Sequence, residues 1–224
     1  MSSKRFKKLP EKTIELPSEV IEKLLSVVKK NCTTKFDESV DLSFQINNKQ
    51  KKSEINIRTV VNLPGGTGKK IKVAVVCEDT KSDEAKSAGA DIVGGDEFIE
   101  KIKNGEMDFE KLICTPSMMI KLSKLGKVLG PKGLMPNPKL GTVTPDVKAA
   151  VGAAKSGQVQ YRAEKTGIVQ AGIGKISFGS DKLIENVNSF IEAIQKSRPS
   201  GAKGTFIKKI SISSTMGVGI NVNI

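Results

Sequence analysis

The period of the hydrophobic pattern changes twice along this chain, and that change restricts its fold more than any other feature. Val40, Leu42, Phe44 and Ile46 alternate with polar residues, and Ile55 to Leu63 alternates again. Period-two alternation marks half-buried strands, and these two are expected to pair antiparallel across a turn at Lys49–Lys52. From Ile71 the rhythm differs: Ile71 to Cys77 is almost continuously apolar and β-branched, as in a strand covered on both faces. From Gln158 the first rhythm returns, in Val159 and Tyr161, Ile168 to Ile176, Phe206 to Ile212 and Val218 to Val222. A chain that leaves one pattern and comes back to it predicts a domain built from both ends, with a second domain inserted.

The helices agree. After Leu16-Pro17, Ser18 can cap a helix carrying Val20, Ile21, Leu24, Leu25, Val27 and Val28 on one face. Asp181 opens another, with Leu183, Ile184, Val187, Phe190, Ile191 and Ile194 inward, closed by Arg198-Pro199. The middle segment alternates short strands (Ala90 to Val93, Lys111 to Cys114) with helices over Asp83–Ala88, Asp96–Lys103, Ser117–Val128 and Asp146–Lys155. That order predicts a three-layer α/β unit. The expected fold is therefore an α+β outer domain, residues 1–67 plus 158–224, with an inserted α/β domain over residues 68–157. Gly65, Gly66 and Gly68 on the way in, and Gly157 on the way out, are the candidate hinge.

Lys and Arg number 37 against 24 acidic residues, a formal net charge of +13. The middle segment holds 15 basic and 12 acidic residues, so most of the excess lies on the outer domain. A field of this sign favours polyanions, since each neutralised phosphate releases a counterion. There is no His, which removes imidazole bases, Ser-His-Asp triads and His zinc ligands. Cys32, Cys77 and Cys114 are odd in number and set among apolar residues, the pattern of reduced core thiols. No cofactor or metal site is expected. No apolar run reaches the roughly 18 residues that span a bilayer, and the basic start lacks a signal-peptide core, so a cytoplasmic protein is expected.

Four motifs carry possible chemistry. Gly65-Gly-Thr-Gly-Lys-Lys70 invites a phosphate-loop reading but fails it, with Leu63 in place of the first glycine and Lys70 in place of Ser or Thr. Gly172-Ile-Gly-Lys175 fails in the same way at Val169 and Ile176. Gly126 to Gly141 holds Gly130, Gly133, Pro131, Pro136 and Pro138, and displays Lys127, Lys132 and Lys139. It is either a phosphate-facing loop or a structured connection with solvated lysines. Ser213-Ser-Thr-Met-Gly-Val-Gly219 lies between two expected strands and is either a capped turn or a place where hydroxyls meet phosphate or ribose 2′-OH groups. Aromatic residues are only 4% of the chain, so recognition by base stacking is not expected.

Several stretches together resemble one family, the L-one proteins of the bacterial large ribosomal subunit. They are Thr34-Lys-Phe-Asp-Glu-Ser-Val40, Leu63-Pro with Gly-Thr-Gly-Lys69, Gly126 to Gly141, Tyr161-Arg-Ala-Glu-Lys-Thr-Gly167, Gly172 to Lys175, Ala202-Lys-Gly-Thr205 and Ser213 to Gly217. The resemblance implies a two-domain protein whose inserted domain is Rossmann-like. It implies a grip on the ribosomal RNA of the mobile stalk, contact with deacylated tRNA at the exit site, and repression through the protein's own messenger RNA. It further implies a monomer when free, no membrane partner, and RNA contacts at Lys35, Phe36, Lys165, Gly167, Ser213, Thr215, Met216 and Gly217. The chain departs from the family's usual His at Gly65 and at Gln170, before Thr34, and in the turn Asn47–Glu54. Two other readings compete. An enzyme would need a deep pocket with paired carboxylates at the carboxyl ends of the middle strands; a nonribosomal regulator would use the same basic face on other nucleic acids.

Overall fold

The computed structural model describes residues 21–47, 57–164, 166–198 and 205–223. Their contacts divide into two compact units, one of Met1–Gly68 with Val159–Ile224 and one of Lys69–Gln158. The expected Ser18 cap and the Lys49–Lys52 turn lie outside the described residues.

The first unit is built on a four-stranded antiparallel sheet. It contains helix α1 (Ile21–Asn31), strands β1 (Ser39–Ile46), β7 (Ile168–Lys175), β8 (Ile207–Ser214) and β9 (Ile220–Asn223), and helix α7 (Ser180–Lys196), with strand order β7-β1-β8-β9. Alternation in β1 works as the sequence requires: Val40, Leu42, Phe44 and Ile46 are buried, while Asp41 and Gln45 are exposed. The buried row packs with Leu25 and Val28 of α1 and with Leu183, Val187, Phe190 and Ile194 of α7. Phe44 and Phe190 have ring centroids 5.3 Å apart, and Tyr161 meets Phe190 edge-on at 5.1 Å. Each such side chain contributes about 1.5–3 kcal/mol on burial.

The expected hairpin is not there. β1 is flanked by β7 and β8, while strand β2 (Arg58–Asn62) pairs instead with β6 (Gln158–Arg162) in a separate two-stranded sheet. Alternation fixes which face a strand buries but not which strand lies beside it, and both edges of β1 are taken by strands of eight residues.

The second unit is a parallel sheet of β3 (Val73–Val76), β4 (Ile92–Gly94) and β5 (Lys111–Cys114) in the order β4-β3-β5. Helices α2 (Ser82–Ser87) and α6 (Val147–Lys155) cover Val73, Val75 and Ile113 on one face. Helices α3 (Asp96–Asn104), α4 (Pro116–Ser123) and α5 (Gly126–Leu129) cover Ala74, Val76, Leu112 and Cys114 on the other. Asp146 caps α6 as expected, accepting from the Ala149 N–H at 3.1 Å. The single helix expected over Ser117–Val128 is broken. Lys124 and Leu125 donate to the carbonyls three residues back, tightening the last turn of α4 before the chain restarts as α5.

Candidate nucleic-acid interface

The turn after β8 begins later than expected, because the strand runs on through Ser213 and Ser214. Ser213 sits opposite Asp41 on the sheet face turned away from the helices, half-buried. Ser214 points the other way, and its buried hydroxyl oxygen has no hydrogen-bond partner. Thr215 then folds onto the start of β1. Its N–H donates to the Ser39 carbonyl at 3.1 Å, and its hydroxyl accepts from the Ser39 N–H at 3.0 Å and donates to the Ser39 carbonyl at 3.3 Å. One lone pair of that hydroxyl remains for anything outside the chain.

Behind the turn lies Glu38, a carboxylate only 1% exposed. One oxygen accepts the Met216 N–H at 3.1 Å, and the other accepts the Thr34 hydroxyl at 2.5 Å. The neighbouring Asp37 accepts the Ser177 N–H at 3.1 Å and the Ser177 hydroxyl at 2.8 Å. The loop between Thr34 and Glu38 is thus anchored on its inner side, and Lys35 and Phe36 are displayed on its outer side. Phe36 is 54% exposed and Met216 50% exposed, two of the most exposed large apolar side chains among the described residues. Exposed apolar groups that the fold holds outward mark contact surfaces when polar groups surround them. At Gly217 an added Cβ would clash with the Ser214 hydroxyl, so any larger residue there requires Ser214 or the turn to shift.

The structure therefore brings Lys35, Phe36, Ser213, Thr215, Met216 and Gly217 to the Ser39 end of β1. Gly167 lies elsewhere. Buried, with φ +81°, it gives its carbonyl to the Ile46 N–H at 2.7 Å. That is the far end of β1, roughly 23 Å along an eight-residue strand. Lys165 lies outside the described residues. Between the two ends, the exposed face of the sheet is polar: Ser43, Gln45, Gln170 and Ser211 share it with Ser213 and Lys209. Glu38 and Asp37 assemble the turn and the loop; Glu38 escapes sequence reading because a buried acid contradicts the binary pattern, and Asp37 because it is an ordinary exposed acid. Their place within the Thr34–Val40 stretch is the one signal that could have found them.

Two of the candidate hinge glycines, Gly65 and Gly66, are held by α7. The buried amide of Asn186 accepts the Gly65 N–H at 2.8 Å and donates to the Gly66 carbonyl at 3.0 Å and the Ile173 carbonyl at 2.7 Å. Gly66 and Gly68 both have φ +72°, and Gly157 has φ +100°.

In the second unit a cavity of about 510 Å³ opens beside the carboxyl ends of β3 and β4, lined by Cys77, Ser82, Lys86, Asp96, Glu97 and Lys101 among others. Its adjacent carboxylates belong to the first turn of α3, where negative charge complements the helix dipole. Asp96 is also bound by Lys121 at 2.7 Å. Burial pushes the Cys114 thiol up to about 11, so it is not a poised nucleophile. Among the described residues, no group of three or more His, Cys, Asp or Glu could hold a metal, and no helix is long and apolar enough to cross a membrane.

Fold and surface together define a basic, mixed α/β protein whose distinguishing chemistry is displayed lysine, hydroxyl and apolar groups braced from behind. Within that class the chain belongs to the Ribosomal protein L1p/L10e family, whose profile matches residues 28–218. It is 66% identical, over 225 aligned positions covering 100% of this chain and 98% of the relative, to the large ribosomal subunit protein uL1 of Pelagibacter ubique (strain HTCC1062). The chain is accordingly a structural protein of the large ribosomal subunit in the cytoplasm, and not an enzyme.

Proposed function

We propose that the outer domain, residues 1–67 plus 158–224, binds the ribosomal RNA of the large-subunit stalk through the turn at Ser213–Gly217 and the loop at Lys35–Phe36. The polar sheet face carries this contact on toward Lys165 and Gly167. Phe36 and Met216 cover sugar or base faces, Ser213 and the free lone pair of Thr215 meet ribose hydroxyls, and Lys35 neutralises phosphate. Gly217 lets the RNA backbone approach. The domain over residues 68–157 rides on this anchor by the crossings near Gly68 and Gly157. From that place the protein assists release of deacylated tRNA from the exit site, and the same surface represses its own messenger RNA by binding a copy of the stalk fold.

The observation that carries this reading is the pairing of two half-exposed apolar side chains, Phe36 and Met216, on segments joined by one buried carboxylate, Glu38. A surface held this firmly needs little ordering on binding. Filter-binding titration of the full chain against isolated stalk RNA tests it. Affinity is expected to fall steeply with salt and to exceed that for duplex DNA by orders of magnitude; equal affinity for the two would overturn the reading.

A further inference from the structure

The second unit holds both of its chain crossings at one residue. The chain enters β3 past Lys72, and the backbone N–H groups of Glu110 and Lys111, at the start of β5, both donate to the Lys72 carbonyl, at 3.0 and 3.3 Å. The Lys111 side chain takes the other crossing. Its Nζ donates at 2.6 Å to the carbonyl of Gln158, 47 positions away. Gln158 is the last residue of this unit. Main chain and side chain of one lysine thus join the place where the chain comes in to the place where it goes out.

The bond is formed at a cost. Lys111 is half-buried, and its loss of water draws the ammonium's pKa below the ordinary 10.5. Among the described residues no carboxylate pairs with it. An apolar stem of the same length would cover β5 without that desolvation; what the ammonium adds is a donor aimed at the outgoing chain. A hydrogen bond from a charged donor is stronger than a neutral one, and stronger still where water is partly excluded.

This grip decides which residues can turn. On the way in, Gly68 is hemmed by the first unit, since a Cβ there would lie 2.9 Å from the Phe178 ring and 3.0 Å from the Lys175 side chain. Ile71 already packs on a core of the second unit. Lys69 and Lys70 lie between, both exposed and outside any strand or helix. On the way out, Gly157 precedes the gripped residue, and Val159, which follows it, packs on the core of the first unit. No residue is left between those two holds.

We infer that Lys111 is the positioning residue of the crossings: by holding the Gln158 carbonyl on the residue that also holds Lys72, it takes Gly157 out of the hinge and confines bending to Lys69–Lys70 and to the single linkage from Gln158 to Val159. Gly157, with φ +100°, then serves a fixed turn rather than a pivot. Hinges are a few residues that absorb the whole change in φ and ψ, so fixing both crossings at one place gives the second unit one bend instead of a loose tether. The inference stands apart from the RNA reading and shares no residue with the surface assigned there.

Backbone nitrogen relaxation of the full chain, measured by NMR, tests it. In the parent, order parameters at Gly157 and Gln158 are expected to match those of β5, at about 0.85. In Lys111→Met, which keeps the stem and loses the donor, both are expected to fall below about 0.6 while β3 and β5 hold their values. Lys111→Arg, which restores a donor, is expected to return them to the parent's. Flexible values at Gly157 and Gln158 in the parent overturn the proposal before any variant is made. So does a folded Met variant in which they stay rigid, and so does loosening spread through β5, which would make Lys111 an ordinary part of its strand. An Arg variant as loose as the Met one counts against the hydrogen bond as the means.

Discussion

Glu38 and Met216 stand 178 positions apart in sequence and are joined directly, the buried carboxylate of one accepting the backbone N–H of the other at 3.1 Å. Because the second carboxylate oxygen takes the Thr34 hydroxyl, one side chain sets the placement of both segments that display the surface. Glu38→Ala leaves the Met216 N–H without its acceptor. It is expected to cost about 2–3 kcal/mol in urea unfolding, the scale of a lost hydrogen bond to a charged group. Glu38→Gln keeps an acceptor and should recover at least half of that. A variant as stable as the parent would mean that the carboxylate braces nothing.

Asn186 has the corresponding role at the crossing between the two units of the chain. Its amide satisfies the Gly65 N–H and the carbonyls of Gly66 and Ile173. Asn186→Ala removes all three partners at once, and about 3 kcal/mol of stability is expected to go with them. Amide hydrogen exchange at Gly65 should rise in proportion. Unchanged exchange there would show that this turn is held by other means.

Asp91 provides a pH-dependent test within the second unit. Its carboxylate accepts the Val73 N–H at 2.9 Å and pairs with Lys155 at 3.2 Å, and the Val73 bond, assisted by Lys155, draws its pKa below the ordinary 3.8. A depressed acid contributes stability that is present above its unfolded pKa and lost as pH falls through the folded one. Asp91→Asn is therefore expected to be less stable than the parent at pH 7, with the difference closing as pH drops below 3.8. Denaturant midpoints at several pH values measure this, and a difference that does not narrow in acid contradicts it.

How much was legible follows from what each signal encodes. Lys111–Cys114 is the strand the sequence marks, because Thr115-Pro116 stops it and the next helix takes Pro116 as its first residue. The hairpin expected between β1 and β2 failed because alternation at Val40–Ile46 specifies a buried face and leaves the neighbour open. The helix over Ser117–Val128 read as one because Met118, Leu122 and Leu125 are spaced as on one helix face and all pack into the same core. For the surface, Phe36 and Met216 were reachable through motif resemblance, and composition alone would have buried them. Glu38 was reachable only through its place in the Thr34–Val40 stretch, since its function needs a charge where the pattern demands none.

Gly217 tests the turn by sterics alone. A Cβ built there would clash with the Ser214 hydroxyl, which is itself buried without a partner. Gly217→Ala must therefore push the turn outward or turn Ser214 aside, and stalk RNA affinity is expected to drop at least tenfold. In the double variant Ser214→Ala, Gly217→Ala the clash is partly relieved, and part of the affinity should return. Equal loss in single and double variants would place the defect somewhere other than this contact.

Phe36 and Met216 separate binding from folding most cleanly. Each is about half exposed, at 54% and 50%, and neither belongs to the buried cluster of its unit. Truncation to Ala then removes little that the folded state has taken from water, and each variant is expected to unfold within about 0.5 kcal/mol of the parent. An apolar group that becomes covered only in a complex contributes to the complex alone, so the same substitutions are expected to weaken stalk RNA binding by about 1–3 kcal/mol each. Because Glu38 ties their segments together, the two effects should fall short of additive: once either side chain is gone, water enters the contact that both enclose. Filter binding of Phe36→Ala, Met216→Ala and the pair, each against its own urea midpoint, measures all of this. Loss of stability without loss of affinity would assign both side chains to the fold and leave the RNA to be held elsewhere.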